Sequence, residues 1–573
     1  MSHQPVDEES QKERQNTLPF SSSRSQETVS VENISMTSSI EDILEPKWPR
    51  TWRAYACWLG CFFLMFNSWG LVNAYGTFSS YYVGNSLRDS DQLRLNLIGS
   101  TQCFLVLLFS APIGKLLDAG HFRWVVLTGS ILVPFGLFML SVAHPTGDGQ
   151  ANFGSIWATQ GLVVGLGMAC FFVSSSQIAS TWFRQHKSLA VGVVACGASV
   201  AGVIYPAMIR WLIEELGFNN AVRGVAGLAG ATCAFSFFFA IPNPVHVHPK
   251  SQSYGKLSTW IDKDALGNKA FCWFTVAVAW LFLGFYPVFF NLEEWASVNG
   301  LGTRGGAKTL IRESEPTSAP MQTYYMLMIM NGASTVGRLA FAFVGDRLGA
   351  LNMHIGSQIF CSLLVYILWT LAGSTAAAIA FCVFFGAFSG TVIGLPPASI
   401  GNILKCTYTD PSNEHLAHSM LGQWTGMMYS VAAVPALIGP LIAGHLVTEY
   451  SDYLTVQLWS AVSLTLSATC MVMARWHLPC EDGAHVSTHI WRFFGKHDKA
   501  EAAEKRRPSR ATVDSTSRIL SRSATRVNSE AVSRRVSQEK IDSEKLECPP
   551  EPAVLVPARN IRGDLAGSFP VSV

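Results

Sequence analysis

MQTYYMLMIMNGASTVGRLAFAFVGDRLG, residues Met321 to Gly349, is the stretch on which the architecture turns. Its first 24 residues, Met321 to Val344, are mostly apolar. At a helical rise of about 1.5 Å per residue they are long enough to cross a bilayer. Near the end of that run stands a permanent charge, Arg338, with Asn331 two turns before it. A guanidinium inside a spanning helix costs about 2.5–3.5 kcal/mol even on lenient insertion scales, so an anion, a carboxylate or a water-lined cavity should offset it. The alternative is that Arg338, about two turns from the helix end, snorkels to the headgroups. Gly345-Asp346-Arg347-Leu348-Gly349 then reads as a tight polar turn.

Working outward, further apolar runs precede the stretch at about 54–78, 95–117, 124–143, 154–180, 188–212, 222–241 and 270–291. Others follow it at 350–373, 376–400, 418–446 and 454–475. With 321–344 this makes twelve, six on each side of a polar segment from Pro242 to Lys269. Each is near the roughly 20 residues that a membrane helix needs. The composition agrees: 49% of the 573 residues are hydrophobic and 14% charged, where a soluble chain would carry about 25% charged. The expected fold class is an all-α membrane protein with twelve transmembrane helices in two six-helix bundles. The expected domains are a disordered N-tail (1–51), a first bundle (52–241), a central loop (242–269), a second bundle (270–475) and a disordered basic C-tail (476–573).

Lys and Arg in the connecting loops set the orientation. One set of loops holds ten, among them Lys115, Arg123, Arg184, Lys187, Lys263, Arg347 and Lys405; the other holds six, among them Arg94, Arg223 and Arg304. The first set, with both tails, is placed on the cytoplasmic side. The polar N-terminal residues contain no cleavable signal, so a helix near Trp52 would serve as its own insertion signal. Thirteen cysteines lie mostly within apolar runs without metal-site spacing, and no disulfide is expected. The sequon at Asn33 would face the cytoplasm unused. Between Lys505 and Arg535 there are nine basic and two acidic residues, a composition that attracts anionic lipid and that phosphorylation would weaken.

Two turns occupy matching places in the halves. Gly114-Lys115-Leu116-Leu117-Asp118-Ala119-Gly120-His121-Phe122-Arg123 joins helices two and three, and Gly345 to Gly349 joins helices eight and nine. Such an internal repeat is expected of a two-bundle transporter. An Asp in each can accept hydrogen bonds from a facing helix N-terminus and pair with Arg or Lys, which makes Asp118, Arg123, Arg184, Asp346 and Arg347 candidates for a gate.

With these features the chain resembles the major facilitator superfamily, and more narrowly its fungal monocarboxylate-porter-like branch. Thr181-Trp182-Phe183-Arg184-Gln185-His186-Lys187-Ser188-Leu189-Ala190-Val191-Gly192, continued by Gly197 and Tyr205-Pro206, is similar to that branch's entry into helix five. Asn331 to Arg338 resembles its helix-eight motif, and Gly422-Gln423-Trp424-Thr425-Gly426-Met427 its entry to helix eleven. The resemblance covers roughly 52–475 and neither tail. It implies alternating access and, in the best-known members, proton-coupled carboxylate transport. Proton-linked members carry a Lys in helix one and an Asp one turn before the helix-eight Arg. The matching positions here are Asn73 and Ser334. Neither titrates near neutral pH, so facilitated exchange or uniport is expected rather than proton symport.

Polar and aromatic residues within spanning runs are the candidate substrate contacts: Arg338, Asn331, Asn73, Gln177, Tyr205, Gln423 and Trp424, with Asn67 beside them. Each is also a natural interhelical hydrogen-bond partner. A single Arg among aromatics suits an organic anion of moderate size. The expected function is a secondary or facilitative transporter of a small organic, anionic solute: a monocarboxylate, a vitamin or a secondary metabolite. Efflux of a secondary metabolite or toxin is the alternative. A non-transporting nutrient sensor on the same fold is a third reading. An enzyme is not expected, since Gly161 to Gly167 mimics a nucleotide loop but lies in an apolar helix with no preceding strand. The expected partners are a small-molecule substrate, the lipid bilayer and anionic lipid at the C-tail, with no cofactor, metal or nucleic acid. The plasma membrane is the expected location, the vacuolar membrane its alternative.

Overall fold

The structure is a computed structural model that describes residue 49 and residues 51–87, 90–145, 151–183, 187–244, 261–303, 321–408 and 414–478, without the side chains of 187–188, 342–348 and 414–419. Both tails, most of the central loop, Arg184 and the side chains of Asp346 and Arg347 lie outside the described residues.

Among the described residues twelve long helical segments run in order: α1 (Trp52–Ser86), α2 (Gln92–Asp118), α3 (Phe122–Ala143), α4 (Phe153–Trp182), α5 (Lys187–Leu216), α6 (Phe218–Phe239), α7 (Lys269–Val298), α8 (Tyr324–Leu348), α9 (Ala350–Trp369), α10 (Thr375–Gly394), α11 (Glu414–Tyr450) and α12 (Leu454–Trp476). All except α8 contain a described stretch long and apolar enough to cross a membrane. At 25 residues α8 has the length to do so too. Among the described residues the only β feature is an isolated bridge between Thr303 and Gln322.

Several helices are longer than their apolar runs. Helix α7 continues seven residues past the expected end at 291, through Glu293 and Glu294, and α1 reaches Ser86 rather than 78. A hydropathy window ends at the first polar cluster, but a helix can bury those groups against another helix. The run expected at 376–400 is split at Leu395: α10 ends at Gly394 and a further helix, Pro396–Thr407, begins with proline in its first turn. Proline lacks an N–H, which a first helical position does not need.

The expected tight turn Gly345 to Gly349 is corrected. Helix α8 continues through Leu348, and the chain reverses only at Gly349, with φ of 86°. Its counterpart behaves alike: α2 continues through Asp118, and Gly120 has φ of 84°. Asp and Arg are tolerated in a last helical turn, whereas a left-handed residue is where glycine is needed.

In the first half α1 packs against α4, α5 and α6, and α3 against α4 and α6. In the second half α7 packs against α11 and α12, α8 against α10, and α9 against α10 and α12. The halves meet along α2–α11 and α5–α8 and where the outer part of α1 lies on α7. The end that the Lys/Arg bias assigns to the cytoplasm is called inner below, and the opposite end outer.

Candidate functional site

The seam between α5 and α8 carries one polar or small-residue contact per helical turn. Asn331 faces Gly202 so closely that a Cβ on that glycine would overlap its side chain. One turn on, Ser199 Oγ donates to Ser334 Oγ at 3.2 Å. The Cys196 thiol points to the Thr335 carbonyl at 3.8 Å, and Arg338 Nη1 donates to the Ala195 carbonyl. The opposite side of α8 is held as tightly. Gly337 abuts the Ala387 backbone, Gly386 the Met330 carbonyl, and Gly390 the Ser334 carbonyl and the Arg338 side chain. Small residues permit such approach in lipid, where the hydrophobic effect does not drive helices together. The small-residue faces of α5 and α10 therefore clamp α8 and fix Arg338 where the halves meet.

Arg338 is 9% exposed. Its Nε has no hydrogen-bond partner, and no carboxylate lies within ion-pair distance of it among the described residues. Asn331 is fully buried; its Nδ2 donates to the Leu327 carbonyl of its own helix, and its Oδ1 has no partner. A buried guanidinium that is only partly satisfied is strongly biased toward binding an anion.

Four aromatic rings from four helices meet beside it. Trp69 of α1 stacks on Tyr286 of α7 with centroids 5.5 Å apart and planes 12° apart. Phe172 of α4 lies edge-on both to Trp69, at 5.4 Å, and to Tyr429 of α11, at 5.3 Å. Tyr286 lies within electrostatic reach of Arg338. The Trp69 indole N–H is buried without an acceptor. Two rings come from each half, so any motion that parts the halves parts the Trp69–Tyr286 stack. Nothing in the isolated aromatic positions of the sequence pairs these rings; only the crossing of the helices does.

The other expected contacts fall elsewhere. Asn73 Nδ2 reaches the Ala198 carbonyl of α5 at 3.5 Å, at the edge of the same seam. Tyr205 is buried within the first half, its hydroxyl donating to Asn67 Oδ1 at 2.7 Å while Asn67 Nδ2 donates to Thr232 Oγ1 at 2.8 Å. That network joins α1, α5 and α6 and turns away from the second half. Gln177 and Gln423, expected as substrate contacts, lie at the inner end. With Ala111, Gly114, Lys115, Asp118 and Gly422 they line a cleft of about 20 Å³, room for roughly one water. Trp424 packs on Phe271 at 4.9 Å and donates its indole N–H to Asp262 Oδ2 at 2.8 Å, beside the start of α7. Two helix ends meet there: Gln423 and Trp424 stand in the first turns of α11 and Gln177 in the last turns of α4, so none of them reaches the level of Arg338. Of the gating candidates, Asp118 lines the inner cleft and Arg123 is exposed at the start of α3.

Sequence reading missed a buried ion pair. Arg210 of α5 and Glu293 of α7 are bonded to each other, with side chains 2% and 0% exposed. Glu293 stands just past the expected end of its run, where it reads as a loop residue; the available signal was Arg210, a cation inside an apolar run.

The family described as Major Facilitator Superfamily matches residues 57–405, more than half of the chain. The chain belongs to this superfamily. It is a transmembrane transporter on the major facilitator fold, and similar proteins carry transporter names. An MFS-type transporter of Gibberella zeae is 26% identical over 469 residues, 82% of this chain and 95% of that protein. The aspyridones efflux protein apdF of Emericella nidulans is 28% identical, over 71% of this chain and 75% of its own length. The agnestins efflux protein AgnL12 of Paecilomyces divaricatus is 26% identical, over 74% and 87%. In a major facilitator protein the pathway runs between the halves, where Arg338 and the four rings lie.

Proposed function

We propose that this transporter exports an anionic aromatic secondary metabolite by alternating access, with Arg338 holding the anionic group and Trp69, Phe172, Tyr286 and Tyr429 holding the ring system. The observation that carries the reading is Arg338: a buried guanidinium with an unused N–H and no carboxylate nearby among the described residues, at the seam of the halves. The efflux names of two relatives support the direction. The likeness of Asn331 to Arg338 to the monocarboxylate-porter-like motif supports the anion. On this reading the bundles span 52–241 and 270–475 between two cytoplasmic tails, the membrane is the plasma membrane, and the inner cleft with Asp118 acts as the gate on the cytoplasmic side.

The test is an untargeted metabolite comparison of the medium and the cells, with and without the protein. Loss of aromatic acids from the medium and their retention in cells is the expected result. Accumulation of a carboxylate in the medium when the protein is removed would reverse the direction to uptake. A change confined to neutral compounds would remove Arg338 from substrate binding.

A further inference from the structure

The outer end is closed by a seam of polar contacts, every one of which joins the two halves. Gln92 Nε2 of α2 donates to Asn291 Oδ1 of α7 at 3.3 Å. Asn96 Nδ2 of α2 donates to the Pro440 carbonyl of α11 at 2.9 Å. Arg210 of α5 pairs with Glu293 of α7. Around them the backbones are in close contact: Gly76 of α1 faces the Phe289 carbonyl of α7, and Gly444 of α11 faces Leu93 of α2. The tyrosines Tyr81 and Tyr324 lie within electrostatic reach of Arg210, and Glu214 within reach of Tyr324.

A buried ion pair is weak ground for stability. Taking both charges out of water costs nearly as much as their attraction returns, and apolar residues of similar volume often hold a fold as well or better. The second Glu293 oxygen lacks a partner, so this carboxylate is not saturated by its surroundings either. A pair that spans two bodies which must separate has a different use. When the bodies part, water hydrates both charges, which stabilises the open form; when they meet, the charges satisfy each other. An apolar pair would favour only the closed form.

We propose that Arg210 and Glu293 are the outer gate of the transport cycle, a charged latch between α5 and α7 that opens by hydration and closes by pairing. The inference stands apart from the identity and direction of the substrate.

The experiment uses the full chain purified into nanodiscs, where a maleimide reaches both faces. Asn291→Cys, buried against Gln92 across the seam, is the reporter in every sample, and its modification is read at residue 291 by peptide mass spectrometry so that the thirteen native cysteines do not contribute. Glu293→Gln in this background should raise the labelling rate by on the order of tenfold, because the closed state loses its pairing. Arg210→Glu combined with Glu293→Arg should bring the rate back toward that of the reporter alone. The apolar double variant, Arg210→Met with Glu293→Leu, should fold without loss of melting temperature and label more slowly than the reporter alone. That variant keeps the proposal decidable if the single substitution prevents folding. Labelling of the apolar double variant at the reporter's own rate would show a purely structural pair and overturn the gate. So would unchanged labelling of a folded Glu293→Gln variant.

Discussion

On the proposed reading, binding turns on Arg338. If it grips an anion through two parallel N–H bonds, Arg338→Lys keeps the charge but loses the planar fork. Hydrogen bonds to charged groups contribute about 1.5–3 kcal/mol each, so export by Arg338→Lys should fall roughly 10- to 100-fold at unchanged expression. Free substitution by Lys, measured as flux per molecule in vesicles, would show that the side chain only packs the seam and holds no anion through a planar fork. A second residue outside the spanning segments gives a pH test. His144 caps α3, where its ring contacts Ser86 and packs on Phe218. Burial pushes its pKa below the usual histidine value. The fold therefore favours the neutral ring, and this contribution is present above the unfolded pKa of about 6.5 and lost as pH falls below it. Melting temperature in detergent should drop between about pH 7.5 and pH 5.5, and His144→Gln should flatten that drop. An equal drop in both proteins would assign it to other groups.

Helix packing is the next scale, and here glycines decide. A Cβ at Gly337 would run into the Ala387 backbone of α10. The obstacle is main chain and cannot rotate away, so Gly337→Ala should destabilise by about 1–3 kcal/mol. Gly192 has nothing near its Cβ position, so Gly192→Ala is the matched control and should be near neutral. Thermal unfolding of the two variants in one detergent checks the contrast. The repeated turn was legible because Gly120 and Gly349 do adopt positive φ. Its extent was not, since sequence does not mark where a helix stops when polar residues suit both a last turn and a loop. On the gate reading, Asp118→Asn should insert normally and slow turnover by shifting the balance of inward- and outward-open forms. Normal flux in that variant would take the turn out of the mechanism.

Across the whole molecule the open questions are sidedness and energy. The Lys/Arg bias predicts that tags within 304–320 react with an impermeant reagent outside the cell and tags within 245–260 do not. Reversed labelling would invert inner and outer throughout. By the resemblance to the monocarboxylate-porter-like branch, Asn73 and Ser334 match positions that titrate in its proton-linked members. Asn73 reaches a backbone carbonyl and Ser334 accepts from Ser199, so both act as helix spacers in the seam. Flux should then depend little on an imposed proton gradient. Liposomes with internal and external pH set independently measure this, and transport driven by the pH gradient alone would refute it.

Hydropathy by itself marked the helices, because the cost of exposing polar groups to lipid is summed locally along the chain, and Gly120 and Gly349 marked where the paired turns reverse. The α8 motif likewise marked Arg338 and Asn331, because a charge or amide within an apolar run is conspicuous wherever the helix packs. Only the tertiary structure decided what stands around them. The stack of Trp69 on Tyr286, the descent of Gln177, Gln423 and Trp424 to the inner end, and the pairing of Arg210 with Glu293 each depend on the level at which two helices distant in sequence cross. That level is set by the fit of small residues against backbone, as at Gly202 and Gly337. Such fit is a property of two surfaces in contact, and a single strand of sequence contains only one of them.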